Sequence, residues 1–141
     1  MSIGAMLRVS GLVLGAGAGM SCSQESQPRP EPVPVELWYL GDIGTTVRFA
    51  NAVEKAIRGS SAFRMSSGQK PGTLIVRIPV NVDGIELGDR EQLTYRVEFH
   101  TSTEKLLGST TGTCWGDELS VCAEFVVKQA EIAASRMEPG R

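Results

Sequence analysis

The stretch QLTYRVEFH, residues 92–100, alternates apolar and polar side chains over its whole length. Leu93, Tyr95, Val97 and Phe99 fall on one side, and Arg96, Glu98 and His100 on the other. Side chains of a strand point to opposite faces in turn, so this segment belongs to a sheet with one apolar and one polar face. TLIVRIPVNV, residues 73–82, carries the same pattern, with Leu74, Val76, Ile78, Val80 and Val82 set against Arg77 and Asn81. The two strands are expected to pair as an antiparallel hairpin with its tip near Gly88-Asp89, Asp83-Gly84 being the other candidate turn. Pro79 cannot donate to a ladder and marks an edge position or a bulge.

The apolar face of such a sheet has to be covered, and two segments offer a cover. Val47, Ala50, Val53 and Ile57 recur at helical spacing, with Arg48, Asn51, Glu54, Lys55 and Arg58 left for water. Thr45 or Thr46 is the expected cap of this helix, and Gly59 the expected left-handed stop. Leu119, Cys122, Ala123, Val126, Ala130, Ala133 and Met137 trace a second apolar stripe, with Asp117 as its cap, Glu118 in its first turn and Pro139-Gly140 as its stop. VELWYL (35–40), AFRMS (62–66) and KLLGSTTGTCW (105–115) read as further strands. In the last of these Gly108, Thr110, Gly112 and Cys114 share one face, and their small side chains leave room for a helix to pack close. The order is β-α-β-β-β-β-α: an α+β domain with a single, mostly antiparallel sheet and both helices on one face. This element order resembles small domains of bacterial envelope proteins, such as the N-terminal domain of the Tol-system protein TolB and small outer-membrane lipoproteins. The resemblance carries no residue motif and lends no site residues.

The domain is expected over residues 35–138, because what precedes it cannot fold the same way. Residues 23–36, SQESQPRPEPVPVE, hold prolines at 28, 30, 32 and 34. Proline lacks an N–H and fixes φ, so residues 22–34 read as an extended tether at ~3.1 Å per residue. Residues 1–21 read as an export signal: Arg8 is the only cation before an apolar run, Val9–Met20, which is shorter than the ~20 residues a membrane-spanning helix needs. Ala16-Gly17-Ala18 offers a small-x-small cleavage site. GMSC, residues 19–22, resembles the lipobox of bacterial lipoproteins, with Ser21 matching the small residue before the cysteine and Gly19 departing from the usual leucine. The resemblance implies that Cys22 receives a diacylglyceryl group and becomes the new N-terminus. Acyl chains then hold the protein to a membrane, each buried CH2 contributing ~0.8 kcal/mol.

An exported chain meets an oxidising compartment, and this bears on Cys114 and Cys122. The chain has one histidine and no CxxC, so no metal site of four ligands is expected. A redox pair would be closer spaced. A catalytic cysteine would need a base, and the alternation puts His100 on the opposite side of the sheet from Cys114. A disulfide from the last strand to the last helix is the expected role of the pair, with two reduced core thiols the alternative.

No cofactor is expected, since no phosphate loop, nucleophile elbow or HExxH motif occurs. Nucleic acid is excluded as a partner, because net charge is −2 and the basic residues are scattered. The acids of the hairpin tip, Asp83, Glu86, Asp89 and Glu91, lack the spacing of a calcium loop. Without a nucleophile–base pair the chain is not expected to be an enzyme. It reads as a periplasmic lipoprotein, anchored in the outer rather than the inner membrane, that binds or stabilises another envelope component. Trp38, Trp115, Arg77, Arg96, Glu98 and His100 are the candidate partner-binding residues. The alternative is an inhibitor or immunity-type lipoprotein that blocks a toxin or hydrolase through loop 83–91.

Overall fold

A computed structural model describes residues 31–137 of the chain, so the signal, most of the tether and Cys22 lie outside the described residues. The alternating and helical segments form eight elements: β1 (Val33–Tyr39), α1 (Gly44–Arg58), β2 (Phe63–Met65), β3 (Leu74–Ile78), β4 (Asp83–Leu87), β5 (Arg90–Thr101), β6 (Leu106–Trp115) and α2 (Leu119–Ala134). The class is α+β, with one mixed but mostly antiparallel six-stranded sheet. β1 runs parallel to β2 on one side and to β3 on the other. β5 is antiparallel to β3, β4 and β6.

β3 and β6 both pair with residues 98–100 of β5, and β4 and β6 both with residues 92–94. A strand has two edges, so β3 and β4 lie end to end on one edge of β5 and β6 on the other. The expected strand at 73–82 is thus one arm of a long hairpin that breaks after Ile78. Pro79 removes a donor there, and the alternation ends with it. Val82 stays in the core, but Val80 is exposed and Asn81 turns toward α1. The hairpin closes at Gly88-Asp89, where Gly88 has φ +67°, the sign a type II′ turn needs at its first central residue. β1 begins at Val33 and takes in Pro34. Bonds to β2 are made by its neighbours, Val33 N–H to Ala62 O at 2.9 Å and Ser66 N–H to Val35 O at 2.8 Å, so the missing proline donor faces the other edge.

Both helices share one core with the inward side chains of the sheet. Leu93, Tyr95, Val97 and Phe99 are buried as their alternation requires, together with Val35, Leu74, Val76 and Ile78. In α1 the buried positions are Thr46, Phe49, Ala50, Val53 and Ile57. Phe49, rather than Val47, is the large core residue of its first turns, and its ring stacks on Tyr95 with centroids 4.7 Å apart. Gly112 lies opposite Tyr95, and a Cβ there would come within 2.7 Å of the Tyr95 hydroxyl. The small residue makes space for an aromatic ring from its own sheet, which in turn meets the helix.

The helix ends differ from the expected caps. Ile43 precedes α1 and Glu118 precedes α2, neither making a side-chain cap bond. Thr46 instead donates to Asn81 Oδ1 at 3.0 Å and accepts from Val82 N–H at 2.8 Å, fastening the first turn of α1 to the joint between β3 and β4. Gly59 has φ −83°, so it closes α1 in a right-handed conformation. Asp117 instead pairs with Arg90 at 2.9 Å, a residue at the same end of the β5–β6 ladder. Cys114 and Cys122 are joined as a disulfide, with Cα atoms 6.0 Å apart, across the turn between β6 and α2.

Two stability predictions come from these contacts. Thr46→Val leaves Val82 N–H without its acceptor in a fully buried place, so urea unfolding of the variant is expected to show a loss of about 1–3 kcal/mol. Reducing the Cys114–Cys122 bond, or replacing both with Ala, is expected to cost about 2–3 kcal/mol from the short loop it closes, measured as the shift in urea midpoint.

Candidate functional site

Among the described residues, the helices take one face of the sheet. On the other, register sets the polar residues in rows across the strands. Trp38, Arg77, Glu98 and Ser109 form one row, on β1, β3, β5 and β6. Glu36, Ile75 and His100 form the next. Arg96 follows Glu98 along β5 on the same side, opposite Thr111.

Two linked groups of contacts build this face. In the first, Glu36 is buried and accepts from Trp38 Nε1–H at 2.9 Å and from the backbone N–H of Gln69. The β2–β3 loop therefore folds back onto this face, helped by positive φ at Gly68 and Gln69. The Arg77 guanidinium lies 5.4 Å from the centre of the Trp38 ring and reaches Glu104 at 3.4 Å. Cation–π contacts of this kind are worth about 0.5–2 kcal/mol, more as water is excluded. In the second group, Glu98 receives His100 Nε2 at 3.0 Å and Arg96 Nη2 at 3.1 Å. The His100 hydrogen bond, against a smaller opposing effect of burial and with help from Arg96, holds the Glu98 carboxyl below its ordinary range.

A carboxylate offers only lone pairs, so His100 presents Nε2–H to Glu98. His100 Nδ1 is buried without a partner among the described residues. The histidine is therefore an internal part of the face and not the surface residue that its place near a strand end indicates. One ring nitrogen is spent on Glu98 and the other is shut off from solvent, so the pair delivers no base to an outside nucleophile.

Of the candidate residues, Trp38, Arg77, Arg96, Glu98 and His100 come together. Trp115 does not. It lies across from Gln92, six residues along β5 from Glu98, which is about 20 Å at strand rise. There it sits under Arg90, whose guanidinium is 4.1 Å from the ring centre. Ile85, Gln92 and Trp115 form a row of their own at the hairpin end. Residues 83–91 are a paired strand, a tight turn and the start of β5 rather than a loop. Ile85 and Leu87 are exposed on β4, and among the described residues no strand pairs with its outer edge. Sequence reasoning missed Glu36 and Glu104. Glu36 had a signal, since it alternates with Trp38 in VELWYL. Glu104 had none, because it reaches Arg77 from a turn residue with φ +72°.

No family model matches this chain, and no curated protein sequence matches it. Solved structures do. The shared property is the fold. A minor lipoprotein from Acinetobacter baumannii superposes with a TM-score of 0.53 at 12% identity, over 79% of this chain and 100% of that one. Two structures of the PelC dodecamer from Paraburkholderia phytofirmans each give a TM-score of 0.50. They are 11% and 10% identical, cover 74% and 77% of this chain, and are themselves covered to 90% and 91%. A lipoprotein is thus among the solved structures that share this arrangement of sheet and helices.

One acid-limb prediction follows from Glu98. Its folded pKa is lowered, so its contribution to stability is present above the unfolded value of about 4.3 and lost as pH falls through the folded one. Glu98→Gln is expected to flatten the fall in melting temperature between about pH 5 and pH 3, read by circular dichroism.

Proposed function

We propose that this chain is a non-enzymatic lipoprotein of the bacterial envelope, and that the helix-free face of its sheet docks another envelope component. The observation that carries the proposal is the ordered polar cluster on that face. Arg77 is held between Trp38 and Glu104, and Glu98 between Arg96 and His100. These side chains have their geometry before any partner arrives, which lowers the ordering cost of association. Arg96 remains half exposed and Arg77 partly so, leaving N–H groups for a partner's acidic groups.

The envelope setting is supported by three things. The first is the lipobox-like GMSC ending at Cys22. The second is the Cys114–Cys122 bond, a linkage at home outside the cytoplasm. The third is a fold shared with a solved lipoprotein. The absence of catalysis is supported by the enclosed His100–Glu98 pair, which leaves neither ring nitrogen for a substrate. In this reading acyl chains on Cys22 anchor the protein in the outer membrane and the tether carries the domain into the periplasm. The PelC neighbours are dodecamers, so a further copy of this chain is one partner that the face can take.

The hairpin supports the second reading. Ile85 and Leu87, on a strand whose outer edge pairs with no strand among the described residues, are what an inhibitor that blocks a cleft would present. The two readings separate in one experiment, site-specific photo-crosslinking in intact cells. A crosslinker at Arg96 is expected to trap a discrete adduct that Arg77→Glu abolishes and that Ile85→Ser with Leu87→Ser leaves intact. An adduct trapped only from position 85, and lost in the Ile85→Ser/Leu87→Ser pair, would replace sheet docking by the hairpin reading. Light scattering on the pure chain separates self-assembly from capture of another component. Labelled palmitate is expected to enter the wild-type chain and to be lost in Cys22→Ser.

A further inference from the structure

At the end of the sheet away from the hairpin tip, a cavity of about 290 Å³ opens between the start of β3, the β5–β6 turn and the end of α2. Its charged lining is one-sided. Lys105 and Arg136 border it, and among the described residues no Asp or Glu does. Glu104, in the same turn, is drawn away to Arg77 on the polar face. Neither cation has a carboxylate partner among the described residues; Arg136 spends one N–H on Leu107 O at 2.8 Å and keeps its others.

A second observation is independent of these charges. Thr73, which lines the same cavity, is completely buried, and its hydroxyl has no hydrogen-bond partner among the described residues. Buried hydroxyls are nearly always satisfied, and leaving one unmade costs about 1–3 kcal/mol. A donor kept in that state at the wall of a cavity bordered by two cations is suited to an acceptor that comes from outside. Leu107 and Met137 supply the apolar part of the wall.

The end of α2 carries partial negative charge, which opposes an anion. Its last carbonyls are already used, however: Glu131, Ala133 and Ala134 accept from the N–H groups of Ser135, Arg136 and Met137. The larger groove between α1 and α2, about 540 Å³, has no such bias, because Glu124 and Glu131 stand among its lysines.

We propose that this cavity binds a small organic oxyanion, a carboxylate or a phosphate ester. Its charged end lies between Lys105 and Arg136, accepting from Thr73, and a short apolar portion rests on Leu107 and Met137. The volume is at the lower end of ligand pockets, about 300–1,000 Å³, so the ligand is smaller than a cofactor. The chemistry is the same whether the oxyanion is a free metabolite or a lipid headgroup. This site is separate from the polar face, and its test does not depend on that reading.

The test is a ¹H–¹⁵N titration of the full-length chain with butyl phosphate, with butyrate and with inorganic phosphate. Saturable shifts confined to residues 71–73, 101–107 and 135–137 are expected, with butyl phosphate binding more tightly than inorganic phosphate. Lys105→Gln is expected to weaken butyl phosphate about tenfold, the loss of one charge-assisted contact. Thr73→Val removes a hydroxyl that has no partner, so it is expected to weaken binding about fivefold without lowering the melting temperature. Lys55→Gln, in the other groove, is expected to change nothing. Phosphatidylglycerol vesicles that compete with butyl phosphate in the wild type, and not in Lys105→Gln, assign the oxyanion to a headgroup; no competition assigns it to a soluble ligand. Absence of saturable shifts, or shifts that survive both Lys105→Gln and Thr73→Val, would overturn the proposal.

Discussion

Strand β5 pairs with three other strands, and the rest of the molecule is arranged around its two-residue period. Its odd positions, Leu93 to Phe99, enter the core, so the helices must lie on that side. Its even positions are thereby committed to the opposite face. Arg96, Glu98 and His100 are neighbours because strand geometry puts every second residue on one side. Fold and candidate site are thus two sides of one strand. A one-residue slip of register would exchange them and put charges under α1 and α2.

The polar face is not simply a solvated surface. Glu36 and His100 are buried there, and buried polar groups cost free energy unless their bonds are made. Glu36 makes its bonds to Trp38 and Gln69, while His100 makes one of two. The β2–β3 loop and the β5–β6 turn both bend toward this face, bringing Gln69 and Glu104 to it. A row of strand side chains becomes a connected cluster by this means.

The two ends of the sheet have opposite characters. At the hairpin end the sheet narrows to β4, β5 and β6, and β4 carries exposed Ile85 and Leu87 beside an edge that pairs with no strand among the described residues. At the other end the turns enclose a small cavity bordered by Lys105 and Arg136. The break at Pro79 separates the two regions. Thr46 spans it, fastening α1 to Asn81 and Val82 where the ladder cannot continue.

Much of this was legible in the sequence, for a physical reason. Periodicity is local, so alternation at 92–100 and the stripe from Leu119 to Met137 state which side of each element is apolar, and an apolar side must be buried. Hence the class, the hairpin, the covering helices and the common side of Arg96, Glu98 and His100 could be read from the residues alone. Only the tertiary structure decided which distant residues meet. Thr46 caps nothing and finds Asn81 35 positions away, while Asp117 leaves its helix for Arg90 at a separation of 27. Trp38 joins Arg77 because β1 runs parallel beside β3, and Trp115 is left about 20 Å off by the same register. Strand order and loop path set those meetings. They arise from closing long loops against a shared core, and no short-range pattern encodes them.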